Sequence, residues 1–303
     1  MTEPTAMRTE IGQQPAALRA TLASPSIATE YHARMDLSGV LAVALSQSGA
    51  TEEIVETLGW ARDCGARTLA ITNGAGSPLT QVADVAFVTE AGVELAVPAT
   101  KTFTTQLVAL AVLAIALGAD LDPGLLRGVP DEIERMLASP EGLEPMLDAL
   151  DPMVAQLAGA AGVVVSGRGH AYAAALELAL KLKEACYLHA MGLSWADLLH
   201  GPIAVVDAAT PAIIVAADSG PALPGSIELA RRVVAAGARA YAIGGGPGLA
   251  QASSLAVPGP RLPEWLSPLG LIVPGQLLTE ALSRRLGIDP DSPRGLSKVT
   301  QTA

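Results

Sequence analysis

Val40-Leu41-Ala42-Val43-Ala44-Leu45, running straight into Ser46-Gln47-Ser48-Gly49-Ala50-Thr51, is the stretch that decides the fold. Its first half is a continuous β-prone apolar run without alternation, the pattern of a strand buried on both faces of a parallel sheet. A polar, glycine-containing turn ends it. Thr51-Glu52-Glu53 then opens a helix expected to reach about Cys64, with Ile54, Val55 and Leu58 on one apolar face and Gly65 as its stop. Thr68 to Thr72 reads as the next strand.

The unit recurs. Ala212 to Ala217 is a second apolar run, followed by Asp218-Ser219-Gly220, a helix carrying Ile227 to Ala236, and a strand ending at Ile243. The entry into the closing strand is written DCGARTLAIT in one copy and AAGARAYAIG in the other. Two strand-turn-helix-strand units predict duplicated, doubly wound α/β halves, each a parallel sheet flanked by helices. The expected organisation is an N-terminal half over residues 1–120, a linker with a short amphipathic helix over 121–150, and a C-terminal half over 151–303. The second half begins one unit earlier, with a strand at Gly162 to Val165, the turn Ser166-Gly167-Arg168-Gly169 and a helix from about Ala171 to Tyr187. The first half has no such unit before Val40, so its sheet is expected to be short by one strand and one helix.

Half of the residues are hydrophobic but only 3% are aromatic, which implies a core of Ala, Val, Leu and Ile suited to closely packed helices on a sheet. A net charge of -11 with 19 basic residues excludes the electrostatic footprint of a general nucleic-acid binder. Any anionic ligand must be caught locally, as helix N-termini can do. Cys64 and Cys186 make neither a disulfide framework nor a zinc motif, which points to a reducing cytoplasm and no metal. The polar, acid-containing N-terminus does not read as a signal peptide. The longest apolar run, Leu107 to Ala119, is shorter than the ~20 residues a bilayer span needs and is expected to be a buried helix.

Within this frame the Ser46 to Thr51 turn offers hydroxyls, an amide and the free N–H groups of a helix start at the carboxyl end of a strand, where open α/β sheets bind ligands. That composition suits a phosphate; the plain alternative is an ordinary helix cap. In the helix ALELALKLKE, Glu177, Lys181 and Glu184 follow one another at spacings of four and three and share a face. Such a row is either a solvated salt-bridge stripe or, in these apolar surroundings, a partly buried set tuned for proton transfer. His200, before Gly201-Pro202 and an expected strand from Ile203 to Val206, sits on a turn entering a sheet. Lys298 lies in a short tail.

SQSGAT, ATKTFTTQL at Ala99 to Leu107, ALELALKLKE, HGP at His200 and PRGLSK near the end together resemble the sugar isomerase (SIS) family, in particular the isomerase domain of glutamine:fructose-6-phosphate aminotransferases and the SIS-type glucosamine-6-phosphate deaminases. The resemblance implies two SIS halves and a sugar phosphate held by Ser46, Gln47, Ser48 and Thr51. By the same carry-over Glu184 moves a proton between C1 and C2, Lys181 steadies the enediol oxygen, and Glu177 is a further active-site carboxylate. His200 opens the sugar ring from the partner subunit of a homodimer with shared sites, Lys298 contacts or forms a Schiff base with the open-chain ketose, and Val97 and Ser297 line the sugar.

The implied reaction takes glucosamine 6-phosphate to fructose 6-phosphate and ammonia, without a cofactor, in a cytoplasmic enzyme lacking the glutamine-hydrolysing domain. Two departures stand against the pattern. Pro98-Ala99 replaces a common Ala-Ser pair, and Leu22 runs directly into Ala23 where the family carries a first strand and a hydroxyl-bearing loop. A non-catalytic sugar-phosphate binder is the reading from another class.

Overall fold

A computed structural model describes residues 28–30, 33–137 and 144–297. The chain forms two compact units, one extending to Val93 and the other beginning at Glu94.

In the first unit, β1 (Leu41–Ser46), β2 (Arg67–Thr72) and β3 (Val85–Val88) form a parallel sheet in that order, with Ala44 opposite Ala70 and Ile71 opposite Phe87. Between β1 and β2 runs α1 (Glu52–Asp63). It ends where the sequence indicates, because Gly65 adopts φ +95°, a left-handed conformation that side chains resist. Leu58 of α1 packs on Ala70 and on Leu79 of α2 (Pro78–Val82), with Ala42, Ala44, Ile54 and Val55 around them. This covers one face of the sheet.

The second unit opens with helices α3 (Lys101–Ala116), α4 (Pro123–Arg127), α5 (Val129–Leu137) and α6 (Glu144–Leu157). The stretch read as a linker with one short helix thus carries α4, α5 and the start of α6. A five-stranded parallel sheet follows, in the order β5-β4-β6-β7-β8. Its strands are β4 (Gly162–Gly167), β5 (His189–Ser194), β6 (Ala212–Ala216), β7 (Ala240–Gly244) and β8 (Leu255–Val257). Helix α7 (Ala171–Cys186) joins β4 to β5, α8 (Trp195–Leu199) follows β5, α9 (Leu223–Ala235) joins β6 to β7, α10 (Gly246–Ala252) joins β7 to β8, and α11 (Ser267–Arg285) closes the unit. Pro224 lets α9 begin a turn before Ile227, since proline is tolerated in a helix's first turn.

Register makes the internal repeat quantitative. Ala44 opposes Ala70 as Ile214 opposes Ala242, so Leu45 corresponds to Val215 and Phe87 to Val257. Val215 and Val257 are sealed in a core with Ala175, Leu178 and Leu182 of α7 and Leu271 and Leu278 of α11. Leu45 and Phe87 are 36% and 38% exposed, and Val85 is 62% exposed. The reason is topological: among the described residues the first half has no counterpart of β4 and α7, so β1 is an edge strand and the apolar face beside it lacks that cover.

Two expectations fail for local reasons. Ile203 to Val206 is not a strand but sits on a 3-10 turn, Pro202–Val205; Gly201 at φ +143° and the donorless Pro202 turn the chain away from the sheet, and Val205 stays 44% exposed. The Leu107 to Ala119 run is helical only to Ala116, and it is not buried. Thr102 and Ala109 are enclosed in α3, while Leu110, Val112 and the following Leu117 face outward. Leu107 and Val108 find Val129, Leu266 and Leu269, but a helix apolar all round needs neighbours on every side to bury itself. No described helix is long and apolar enough to cross a membrane.

Candidate active site

Helix α7 forms because Ala, Leu, Lys and Glu are strong helix formers, and its position is set by Leu178 and Leu182, both fully buried against the five-stranded sheet. That rotation turns Glu177, Lys181 and Glu184 together into one row. Lys181 Nζ lies 2.5 Å from Glu184 Oε2 and 3.4 Å from Glu177 Oε1. The solvated-stripe reading is excluded, since Lys181 is 5% exposed and the Glu177 side chain 12%. Burial raises the Glu177 carboxyl above the usual carboxylate range; the Lys181 ammonium opposes the rise and the Glu184 charge adds to it. Two carboxylates on one ammonium leave a net negative charge in a partly dry place, a setting in which a carboxylate can exchange a proton.

Lys181 also lines a cavity of about 90 Å³ with Ala96, Pro98, Thr100, Gln276 and Asp291. Ligand pockets usually occupy roughly 300–1,000 Å³, so this cavity alone is too small to enclose a whole ligand of that class. Its wall is the loop from Glu94 to Thr100. Val97 N–H donates to Asp291 O at 2.9 Å, which ties the loop to the start of the C-terminal tail. Glu94 holds the loop from the other side: its carboxylate accepts from Thr100 N at 2.9 Å, Thr102 N at 3.2 Å and Thr102 Oγ1 at 2.6 Å, capping α3 from six residues upstream. Sequence reading missed Glu94, because a cap closed by a loop has none of the adjacent spacing that marks an ordinary one.

The Ser46 to Thr51 turn is built in the first unit. Ser46 Oγ accepts from Gly49 N at 3.1 Å and Ser48 Oγ from Ala50 N at 3.2 Å, so both hydroxyls shape the turn. Gly49 has φ +64°, and a Cβ there would fall 2.1 Å from Ser77 Oγ and 2.8 Å from Thr72 Oγ1. Thr72 Oγ1 donates to Gln47 O at 3.3 Å. Thr51 stands at the N-cap of α1 without a side-chain cap bond. Ser77 Oγ is buried without a partner beside Gly49. No local pattern marks it, since Ser77 lies more than twenty positions downstream.

His200 caps α8, its N–H donating to Asp197 O at 3.1 Å, and its side chain is exposed rather than enclosed by its own chain. Ser297 is exposed near the end of the tail, and Lys298 lies outside the described residues. No cluster of His, Cys, Asp or Glu suited to a metal occurs among the described residues.

Known proteins resemble this chain in sequence and in fold. The SIS-domain profile matches residues 21–116 and 156–254. The glutamine--fructose-6-phosphate aminotransferase [isomerizing] of Thermococcus kodakarensis is 37% identical over 264 residues, 85% of this chain but 43% of that protein, so the chain spans less than half of that curated relative. A solved structure from Silicibacter pomeroyi, proposed to be a phosphosugar isomerase, superposes with a TM-score of 0.72 at 33% identity, covering 88% of this chain and 78% of the other. The C-terminal domain of glucosamine-fructose-6-phosphate aminotransferase from Francisella tularensis gives 0.74 at 28% identity, over 88% and 77%. Two matched SIS segments, which fall on the two parallel sheets and together span more than half of the chain, place it in the SIS-domain family.

Proposed function

We propose that the chain is a phosphosugar aldose–ketose isomerase of the deaminating kind, converting glucosamine 6-phosphate and water to fructose 6-phosphate and ammonia. The observation that carries this reading is the buried row of Glu177, Lys181 and Glu184, because a passive phosphate binder has no use for a lysine enclosed between two carboxylates. The names of the relatives, which pair isomerisation with amino transfer on fructose 6-phosphate, support the amino-sugar substrate.

In this reading the phosphate rests on Ser46, Gln47, Ser48 and Thr51 at the N-terminus of α1. His200, exposed on its own chain, serves the site of a second copy in a homodimer and opens the ring. Glu184 takes the C2 proton and returns it to C1, while the Lys181 ammonium stabilises charge on the enol oxygen and Glu177 holds Lys181 from the other side. Water then adds to the C2 imine and ammonia leaves. Lys298 contacts the ketose carbonyl, with Val97 and Ser297 along the sugar.

A sugar-phosphate binder without turnover is the second reading, favoured by a first sheet of three strands, against five in the second, among the described residues. Ammonia and ketose phosphate are measured together with glucosamine 6-phosphate and its epimers as substrates. Release of both in equal amounts is expected. A folded protein that is thermally stabilised by these sugars yet releases neither overturns the isomerase reading and leaves the binder.

A further inference from the structure

We infer that Tyr187 is a positioning residue that pins the C-terminal tail to the end of α7, an inference that rests on the reading of the Glu177-Lys181-Glu184 row and the tail as one active site. Tyr187 closes α7 at φ 54° and ψ 25°. Leu188 N–H returns to Leu182 O at 3.3 Å, the closure in which glycine is the usual residue because it alone adopts the left-handed region without penalty. A tyrosine held there points to a use for its side chain.

That use is visible in the tail. Tyr187 OH accepts the backbone N–H of Arg294 at 2.7 Å, and the Arg294 guanidinium stacks 4.3 Å from the centre of the Tyr187 ring. One side chain therefore grips the tail through its main chain and through a cation–π contact. The gripped residue sits in a tight turn, with Leu296 N–H on Pro293 O and Gly295 at φ 74° supplying the geometry of the third turn position. Pro293 is buried. Upstream, Asp291 O receives Val97 N–H at 2.9 Å. The tail from Asp291 to Ser297 is thus tied at one point to the loop that lines the cavity and at another to the residue three positions beyond Glu184. Tyr187 touches no reacting atom; it fixes the path of the tail past the end of α7, upstream of which Asp291 lines the same cavity as Lys181.

The test separates this role from helix capping, because the two predict opposite signs for one variant. Tyr187→Gly relieves the left-handed backbone, so the melting temperature is expected to hold or rise, while the tail is released. Tyr187→Phe keeps the ring and the stacking but removes the acceptor. Hydrogen exchange at the Arg294 amide is expected to quicken about tenfold in Tyr187→Phe, the scale of one lost hydrogen bond, and further in Tyr187→Gly. With glucosamine 6-phosphate, KM is expected to rise about tenfold in Tyr187→Phe, more than kcat falls. Unchanged exchange at Arg294 in both variants overturns the inference, as does a Tyr187→Gly protein that melts lower with KM and kcat intact. Exchange is read without turnover, so a wild-type chain lacking activity whose Arg294 amide still responds removes the isomerase reading and leaves the pinning in place.

Discussion

Lys181→Met is the most informative perturbation of the buried row. Methionine fills much of the volume of the lysine stem, so the change removes the charge and leaves little cavity. It strands Glu177 and Glu184, whose side chains are 12% and 24% exposed, on the same helix face without their shared cation. Breaking a buried pair by removing one partner typically costs about 3–5 kcal/mol, because the remaining charge stays desolvated. For a unit of this size each kcal/mol moves the melting temperature by roughly 2–4 °C, so a loss on the order of 10 °C at pH 7 is expected. Burial already raises the Glu177 carboxyl, and protonation relieves it once stranded, so the deficit against wild type should shrink as the pH falls. Adding Glu177→Gln to Lys181→Met should recover part of the loss at pH 7, a coupling expected only of groups that interact. Thermal and urea melts of the wild type and the variants from pH 5 to 8 provide the assay. A loss near zero that ignores pH would mean that the row is solvated and that its proton chemistry is misread.

Other consequences follow from single residues. Gly49→Ala places a methyl group against Ser77 Oγ at a backbone φ of +64°, and is expected to cost at least about 1 kcal/mol and to abolish thermal stabilisation by a phosphosugar while the second unit melts as before. Glu177 has its folded-state pKa raised by burial, so it favours the folded state fully below its unfolded value and loses that contribution as the pH rises through the folded one. Glu177→Gln should therefore flatten the decline in stability above about pH 4.5, and an unchanged slope would contradict the burial argument. Burial pushes the Cys186 thiol up to about 12, and its Sγ donates to Thr279 O at 3.3 Å. A thiol reagent at pH 8 should modify Cys64 in the native protein and reach Cys186 only on unfolding.

Parts of this architecture could be read from residues alone because their determinants are local. The apolar run from Val40 to Leu45 and its polar turn specify strand, turn and helix within a few positions. The spacing of Glu177, Lys181 and Glu184 puts them on one face whatever surrounds the helix. Internal comparison of the two halves predicts a first sheet short of one unit, and among the described residues that sheet has three strands, with Leu45 and Phe87 exposed. Less was legible where tertiary context decides. Ile203 to Val206 has strand composition, but Gly201-Pro202 diverts it. His189 to Ser194, with a glycine and little β-branching, becomes a strand only because β4 offers an open edge. The apolarity of α3 says nothing about whether neighbours exist to cover it. Glu94, Ser77 and Tyr187 act on partners reached through loops, and no local pattern announces them.

A proton carried between C1 and C2 by the buried row, as proposed, exchanges with solvent on the way, and isotope wash-in reads that exchange at the reacting carbon. Fructose 6-phosphate is incubated in D2O without ammonia, and deuterium at C1 is followed by NMR for the wild type and for Glu184→Gln. Incorporation by the wild type is expected, with a loss on the order of 10²–10⁴ in Glu184→Gln and with phosphosugar binding and melting temperature retained. Wild-type protein that binds the sugar and exchanges no C1 proton, or a Glu184→Gln protein that exchanges as fast as the wild type, would contradict the proposed proton transfer.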